Sequence, residues 1–149
     1  MGTVVVGLDG SEVSRVAFEV ALDEAEVKGL DLRAVHVFAY PVSTIYQAMH
    51  TDLDELQAAA EAWLDGELAT LQEQRGSAFP VAVEPVVEAG HAGSVLVEAA
   101  EDADLLVVGS RGLGGVRGLL LGSVSTFCSH HLPCPLLIVP VRDNAGSPS

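Results

Sequence analysis

Short runs of continuously apolar residues alternate with helix-like stretches along the chain, and this alternation constrains the fold more than any other feature. Residues 105–108 and 136–139, for example, contain only Leu, Ile and Val. A strand that is apolar at every position is covered on both faces, as the strands of a parallel sheet are. The pattern therefore predicts buried parallel strands with helices on both faces of the sheet.

Five strands and four helices are predicted from these patterns. The strands are predicted at residues 3–8, 31–38, 81–88, 104–109 and 135–141. The helices are predicted from Ser11, as N-cap, to Gly29, from about Leu53 to Gly76, from about Gly93 to Asp102, and from about Ser123 to His131 before Pro133. Strands that alternate with helices imply right-handed crossovers and a doubly wound α/β sheet. Residues 1–142 are expected to form one domain, followed by a flexible tail at 143–149.

Composition and charge exclude several classes of protein. The 149 residues are 49% hydrophobic and 19% charged, which excludes a disordered chain, and no apolar run reaches the roughly 18 residues of a membrane span. The formal charge of −14 argues against binding to nucleic acid or to acidic lipid. No basic leader precedes the first strand, so a cytoplasmic protein is expected. Cys128 and Cys134 are interpreted as reduced thiols packed as small hydrophobic groups.

The charges are distributed unevenly along the chain. Twenty of the 21 acidic residues lie within 1–104 and the other is Asp143, so residues 105–142 contain none. The same segment holds Arg111, Arg117 and Arg142, three of the seven cationic residues. Buried strands explain part of the acid depletion, but they do not explain two arginines in a glycine-rich loop. The pattern favours a site for a small anion within an otherwise repulsive field.

The loop from Gly109 to Gly122 contains six glycines in fourteen residues. Glycine lets backbone N–H groups approach a ligand closely, and the N-terminus of the following helix adds unpaired N–H donors with a partial positive charge. These features describe a phosphate site, although a loop without a ligand is the alternative. The loop lacks the GxxxxGK[ST] spacing and lysine of a P-loop. It also follows the fourth strand and not the first, which excludes the dinucleotide fingerprint.

The loop matches the pattern Gly-x2-Gly-x9-Gly-[Ser/Thr] through Gly109, Gly112, Gly122 and Ser123. With this motif the chain resembles the ATP-binding branch of the universal stress protein family. Further segments resemble that family in the same order along the chain, at residues 4–11, 35–37, 103–112, 122–125 and 133–139. The resemblance implies a nucleotide-alpha-hydrolase-like fold whose five parallel strands have the order 3-2-1-4-5. The ligand crevice would then lie between strands 1 and 4, where the winding reverses.

The resemblance also implies roles for individual residues. Asp9 would lie near the base and ribose, with a cap of the first helix as the alternative, and the Val37 backbone would pair with adenine, with a core valine as the alternative. The ribose and phosphates would be bound by the motif glycines and the start of the last helix: Gly109, Gly112, Gly122, Ser123, Val124 and Ser125. Contacts of Arg111 and Arg117 with phosphate are our inference from their place in the loop, with solvated arginines as the alternative.

Little or no catalysis is expected. His36 lies in an apolar run, which favours a hydrogen-bonded core histidine. His130 and His131 diverge by about 100° on a helix, which favours capping over shared metal ligation. No set of metal ligands with an oriented nucleophile is present for phosphoryl transfer. The expected function is therefore ATP binding with a regulatory or stress-response role.

Several alternatives stay open. They are a slow ATPase or adenylating enzyme on the same fold, a cyclic-AMP-binding variant, and an interaction module without nucleotide. The sequence does not decide whether Mg²⁺ accompanies the phosphates. A homodimer is expected through the last strand, from Pro135 to Val141, because an apolar edge strand favours pairing. Residues 40–51 form either a lid over the ligand or an ordinary surface loop.

Overall fold

The computed structural model describes residues 2–39, 52–111 and 121–141. Strands and helices alternate in these segments, as the sequence predicts. Their bounds are β1 Thr3–Gly7, α1 Glu12–Lys28, β2 Asp31–Phe38, α2 Leu53–Arg75, β3 Val83–Ala89, α3 Ala92–Ala99, β4 Leu105–Gly109, α4 Ser123–His131 and β5 Leu136–Val139. None of the described helices is both long enough and apolar enough to cross a lipid bilayer.

The five strands form one parallel sheet in the order β3-β2-β1-β4-β5, which confirms the predicted fold class. β1 lies at the centre, where Val5 is paired with Arg33 of β2 on one side and Leu106 of β4 on the other. The chain moves outward from β1 through β2 to β3 and then crosses back to β4. The carboxyl ends of β1 and β4 therefore flank the topological switch point, which is where open α/β sheets bind ligands.

Side chains of β1 alternate between two apolar layers, as the two-residue period of a strand requires. Val4 and Val6 pack in the layer that contains Phe18 of α1 and Leu64 of α2, and Val5 packs in the opposite layer. All five of these side chains are fully buried. Helices α1 and α2 thus cover one face of the sheet, and α3 and α4 cover the other.

The ends of several elements differ from the predictions for identifiable reasons. Helix α3 ends at Ala99 and not at Asp102, because Glu101 and Asp102 would place negative charge at the negative end of the helix dipole. Strand β5 ends at Val139, because the next residue is Pro140, which has no N–H for the ladder. Helices α1 and α2 end as predicted, with Gly29 and Gly76 in the left-handed conformation.

Candidate functional site

The turn between β1 and α1 is held by its own polar side chains. One carboxylate oxygen of Asp9, Oδ1, accepts hydrogen bonds from the Ser11 N–H at 2.9 Å and from the Ser11 hydroxyl at 2.5 Å. The Ser11 Oγ in turn accepts the Ser14 N–H at 3.2 Å and caps α1, as predicted. Asp9 therefore supports the cap of α1, and it lies at the carboxyl end of β1, beside the switch point.

Gly10, within the same turn, is required by both conformation and space. Its φ of +88° lies in the left-handed region, and a Cβ there would lie 3.0 Å from the Trp63 ring of α2. The Trp63 ring also packs against His36, with the ring centroids 4.3 Å apart. The single tryptophan of the chain is therefore close to the predicted ligand site and can report on it.

The end of β2 is tied to the end of β1 by His36. Its Nδ1 lies 2.9 Å from the Leu8 carbonyl oxygen, and because a carbonyl only accepts, Nδ1 carries the proton. The predicted hydrogen-bonded histidine is confirmed. Val37 is half-buried and packs against the apolar layer between the sheet and helices α3 and α4.

At the end of β4, Gly109 packs directly against α1. A Cβ on Gly109 would lie 2.9 Å and 3.1 Å from the two methyl carbons of Val13. Close approach of the helix to the strand therefore gives a structural reason for this glycine, independent of any ligand. Ser110 follows as a buried residue, and Arg111 is half-buried.

The N-terminus of α4 differs from those of the other described helices. Ser11, Asp52 and His91 each accept a backbone N–H at the start of α1, α2 and α3, respectively. At α4 the N-cap is Gly122, and no side chain of residues 2–39, 52–111 or 121–141 caps the first turn. Its φ of −80° is one that any residue adopts, so the backbone itself does not demand glycine there. The first N–H groups of α4 are thus available, within the described part of the chain, to an acceptor that is not a capping side chain.

The predicted α4 residues have different surroundings. Ser123 is exposed and Val124 is half-buried, whereas Ser125 is buried. The Ser125 hydroxyl lies 3.0 Å from the Ser110 carbonyl oxygen and 3.2 Å from that of Gly122. Its proton is therefore used inside the protein, and its contribution as a hydroxyl donor to a phosphate is not supported by this geometry.

Sequence reasoning missed several contacts around the site. One of them is made by His91, whose Nδ1 accepts the Ser94 N–H at 3.2 Å and caps α3. The place of His91 just after a strand, three residues before a serine, is the signal that could have indicated a cap. Ser110 gave no such signal, because its partners are distant in the sequence.

Acidic and basic residues pair with each other away from the site. Arg15 and Arg75 of α1 and α2 bind acidic residues on the facing helix, Arg33 binds Glu84 and Asp102, and Lys28 binds Glu24. None of these acidic partners lies within residues 105–142. The described residues contain no group of three or more His, Cys, Asp or Glu side chains placed to hold a metal ion.

The two cysteines are free, as predicted, and Cys128 is fully buried. Burial raises the pKa of the Cys128 thiol to about 11, with a smaller contribution from nearby Cys134. Burial also raises the pKa of Cys134. Both thiols are therefore protonated at neutral pH, which excludes a reactive thiolate at this side of α4.

Some predicted features lie outside the described residues. These are Gly112 and Arg117 of the glycine-rich loop, the segment 40–51, Arg142 and the tail at 143–149. The predicted site residues that the structure describes occupy the carboxyl edge of the sheet, on β1, β2, β4 and the start of α4. The described fold and this edge define an open, doubly wound α/β domain of the class whose ligand crevice lies at the switch point.

The chain belongs to the universal stress protein family, whose family model matches residues 1–140. A universal stress protein of Mycobacterium tuberculosis is 40% identical over 136 residues, which are 91% of this chain and 44% of that protein. The chain thus spans about half the length of the curated relatives it matches.

Solved structures agree on the fold. The universal stress protein UspA from Lactobacillus plantarum superimposes with a TM-score of 0.77 at 21% identity, over 93% of this chain and 97% of that one. A universal stress protein in complex with cAMP gives a TM-score of 0.68 at 27% identity, over 93% and 96% of the two chains. A family protein from Arabidopsis thaliana with AMP bound gives 0.58 at 21% identity, over 100% and 97%.

Proposed function

We propose that this chain binds an adenine nucleotide at the crevice between the carboxyl ends of β1 and β4, with a regulatory or stress-response role and little or no catalysis. The observation that carries the proposal is the start of α4 at Gly122, beside the end of β4, where none of the described side chains caps the first turn. The N-terminus of a helix offers N–H donors and a partial positive charge, both of which suit a phosphate group.

Charge supports an anionic ligand at this position. A molecule with a net charge of −14 repels anions in general, so binding requires a local exception. Residues 105–142 contain no carboxylate, whereas Arg111 lies two residues after the end of β4. Arg111 and Arg117 are proposed to add to the attraction of the phosphates.

The adenosine half would lie toward β1 and β2. Asp9 offers carboxylate oxygens to ribose hydroxyl groups, and the Val37 backbone offers the polar atoms that an adenine edge requires. Gly109 and Gly112 allow close approach of the backbone to the ribose and phosphates. The similarity to family structures with cAMP or AMP bound supports an adenine ligand for this chain.

ATP is the proposed ligand because a helix N-terminus that no described side chain caps, together with two loop arginines, suits a triphosphate better than a single phosphate. Mg²⁺ is proposed to enter with the phosphates and not through a protein site. The complex of a 27% identical relative with cAMP favours cyclic AMP as the second candidate. The contacts proposed for adenine do not depend on how many phosphates the nucleotide carries.

A binding role is favoured over an enzymatic one by three of the described histidines. His36 binds a backbone carbonyl, His91 caps α3, and the Nδ1 of His131 lies 2.9 Å from the Phe127 carbonyl oxygen in the last turn of α4. Each imidazole therefore has a structural contact. Efficient phosphoryl transfer needs a positioned nucleophile and metal ligands, so any ATP hydrolysis is expected to be slow.

Calorimetric titration with ATP, ADP, AMP and cyclic AMP tests the proposal, with Gly122→Asp as the decisive variant. Aspartate is a strong N-cap, so it would accept the N–H groups of α4 itself and would repel phosphate. We expect folding stability to stay the same or rise by a few tenths of a kcal/mol, whereas ATP binding is lost.

Gly66→Asp is the matched control. It makes the same change of side chain and charge on the exposed face of α2, where a Cβ meets nothing within 4 Å. We expect it to bind ATP like the unmodified protein. Equal ATP affinity in Gly122→Asp and Gly66→Asp would contradict the proposed site.

We also infer a homodimer through the last strand, Pro135 to Val141. The two edges of the sheet differ: β3 carries Glu84, Pro85 and Glu88, which oppose strand addition, whereas β5 is entirely aliphatic. Light scattering at micromolar concentration should give twice the chain mass of 15.5 kDa. A mass of one chain at micromolar concentration would contradict the homodimer.

Residues 1–142 are proposed to act as one domain, with 143–149 as a tail. A cytoplasmic location is proposed because both cysteines are free thiols, as is usual in a reducing compartment.

A further inference from the structure

Ser110 connects three elements at the site through hydrogen bonds. Its N–H donates to the Val139 carbonyl at 2.7 Å, and its Oγ accepts the Val141 N–H at 3.1 Å, so it is joined to the end of β5. Its carbonyl oxygen accepts the Gly122 N–H at 2.5 Å and the Ser125 hydroxyl at 3.0 Å, so it is also joined to the start of α4. Only 5% of Ser110 is exposed.

Ser125 completes this connection from the helix side. Ser125 is 1% exposed, and its single hydroxyl proton is shared between the carbonyl oxygens of Ser110 and Gly122. Ser129, one turn later in α4, makes a similar local bond to the Thr126 carbonyl at 2.7 Å but is exposed. The local bond is therefore common to both serines, whereas the bond to Ser110 links Ser125 to a different element.

We propose that Ser110 and Ser125 form a clamp that positions the N-terminus of α4 for the phosphates of a nucleotide. The inference rests on the proposed function and adds two positioning residues to it. The clamp joins the two ends of the loop 111–121, so that α4 cannot tilt away from the end of β4. Hydrogen bonds weaken steeply with angle, and the helix-terminal field acts only within the first turn. A small tilt should therefore weaken phosphate binding more than adenosine binding.

The test compares Ser125→Ala with Ser129→Ala, using ATP and adenosine as ligands. Both variants lose one hydroxyl on α4, but only Ser125→Ala loses the bond to Ser110. We expect Ser125→Ala to bind ATP about five-fold more weakly, the equivalent of one hydrogen bond, and to bind adenosine as before. Ser129→Ala should bind both ligands like the unmodified protein. A merely structural role would not change the ratio of the two affinities in folded protein.

Two results for Ser125→Ala overturn the clamp: an unchanged ATP affinity, or equal losses for ATP and adenosine. Hydrogen exchange in the unmodified protein gives a second test that does not depend on the variant folding. The Gly122 amide should exchange slowly before nucleotide is added, and rapid exchange overturns the clamp. Absence of ATP binding by the unmodified protein instead overturns the proposed function and with it the positioning role, so the two failures are distinguishable.

Discussion

Replacement of Gly109 by alanine should destabilise the protein through one identifiable contact. The new Cβ would lie 2.9 Å from one methyl carbon of Val13 and 3.1 Å from the other, closer than packed carbon atoms approach. Val13 is 9% exposed, and a β-branched side chain in a helix has essentially one rotamer, so it cannot turn away. Helix α1 must therefore shift, and overpacking of this kind costs about 1–3 kcal/mol.

A second substitution isolates that contact. Val13→Ala removes both methyl carbons and by itself should cost about 1–2 kcal/mol of lost burial. In the double variant the alanine at Gly109 meets no methyl, so the two costs should not add, and a coupling energy of at least 1 kcal/mol is expected. Urea unfolding followed by Trp63 fluorescence gives all four free energies of unfolding. Additive costs, within about 0.5 kcal/mol, would refute the assignment of this glycine to packing against α1.

Three further predictions concern stability. Gly66→Ala should raise the free energy of unfolding by about 0.5–1 kcal/mol in urea titrations, because Gly66 lies in the middle of α2 with open space around it. Burial raises the pKa of Cys128 from the ordinary value of 9.0 to about 11 in the folded protein, so its stabilising contribution is complete below pH 9 and is lost as the pH rises to 11. The loss from Cys128 should reach about 3 kcal/mol, at 1.4 kcal/mol per unit, so the pH dependence should be weaker in Cys128→Ala, which keeps only the raised pKa of Cys134; equal pH dependence in both proteins contradicts it. Arg15→Ala should lower the thermal midpoint more than Glu67→Gln does, because it leaves a carboxylate that is 4% exposed without its ion-pair partner, and the reverse order would show that the pair does not control the cost.

The arrangement of strands and helices followed from local patterns because each pattern has a direct physical cause. Continuous aliphatic runs such as 105–108 must be covered on both faces, and Ser11 and Gly29 are suited to the start and end of a helix. The strand order could not be predicted from these local patterns. It came from the resemblance of five short segments to one family, and the structure confirms it.

The contacts within the site could be predicted only in part, since they depend on residues far apart in the chain. No local pattern indicates the contacts of Ser110, because its bonds to Val141 and Gly122 require the sheet to be assembled. The Ser125 hydroxyl was expected to face a ligand, but the rotation of α4 directs it to the Ser110 carbonyl. The space beside Gly109 likewise depends on where α1 crosses β4.

The most direct measurement of the central claim is a set of backbone amide NMR spectra recorded while ATP is added. Binding at the switch point should move the signals of residues 9–11 and 122–125 first and most strongly, and it should leave those of Gly66 and its neighbours in α2 unchanged. Signals that stay still at saturating ATP, or shifts confined to the opposite edge of the sheet, would contradict a nucleotide site at the start of α4.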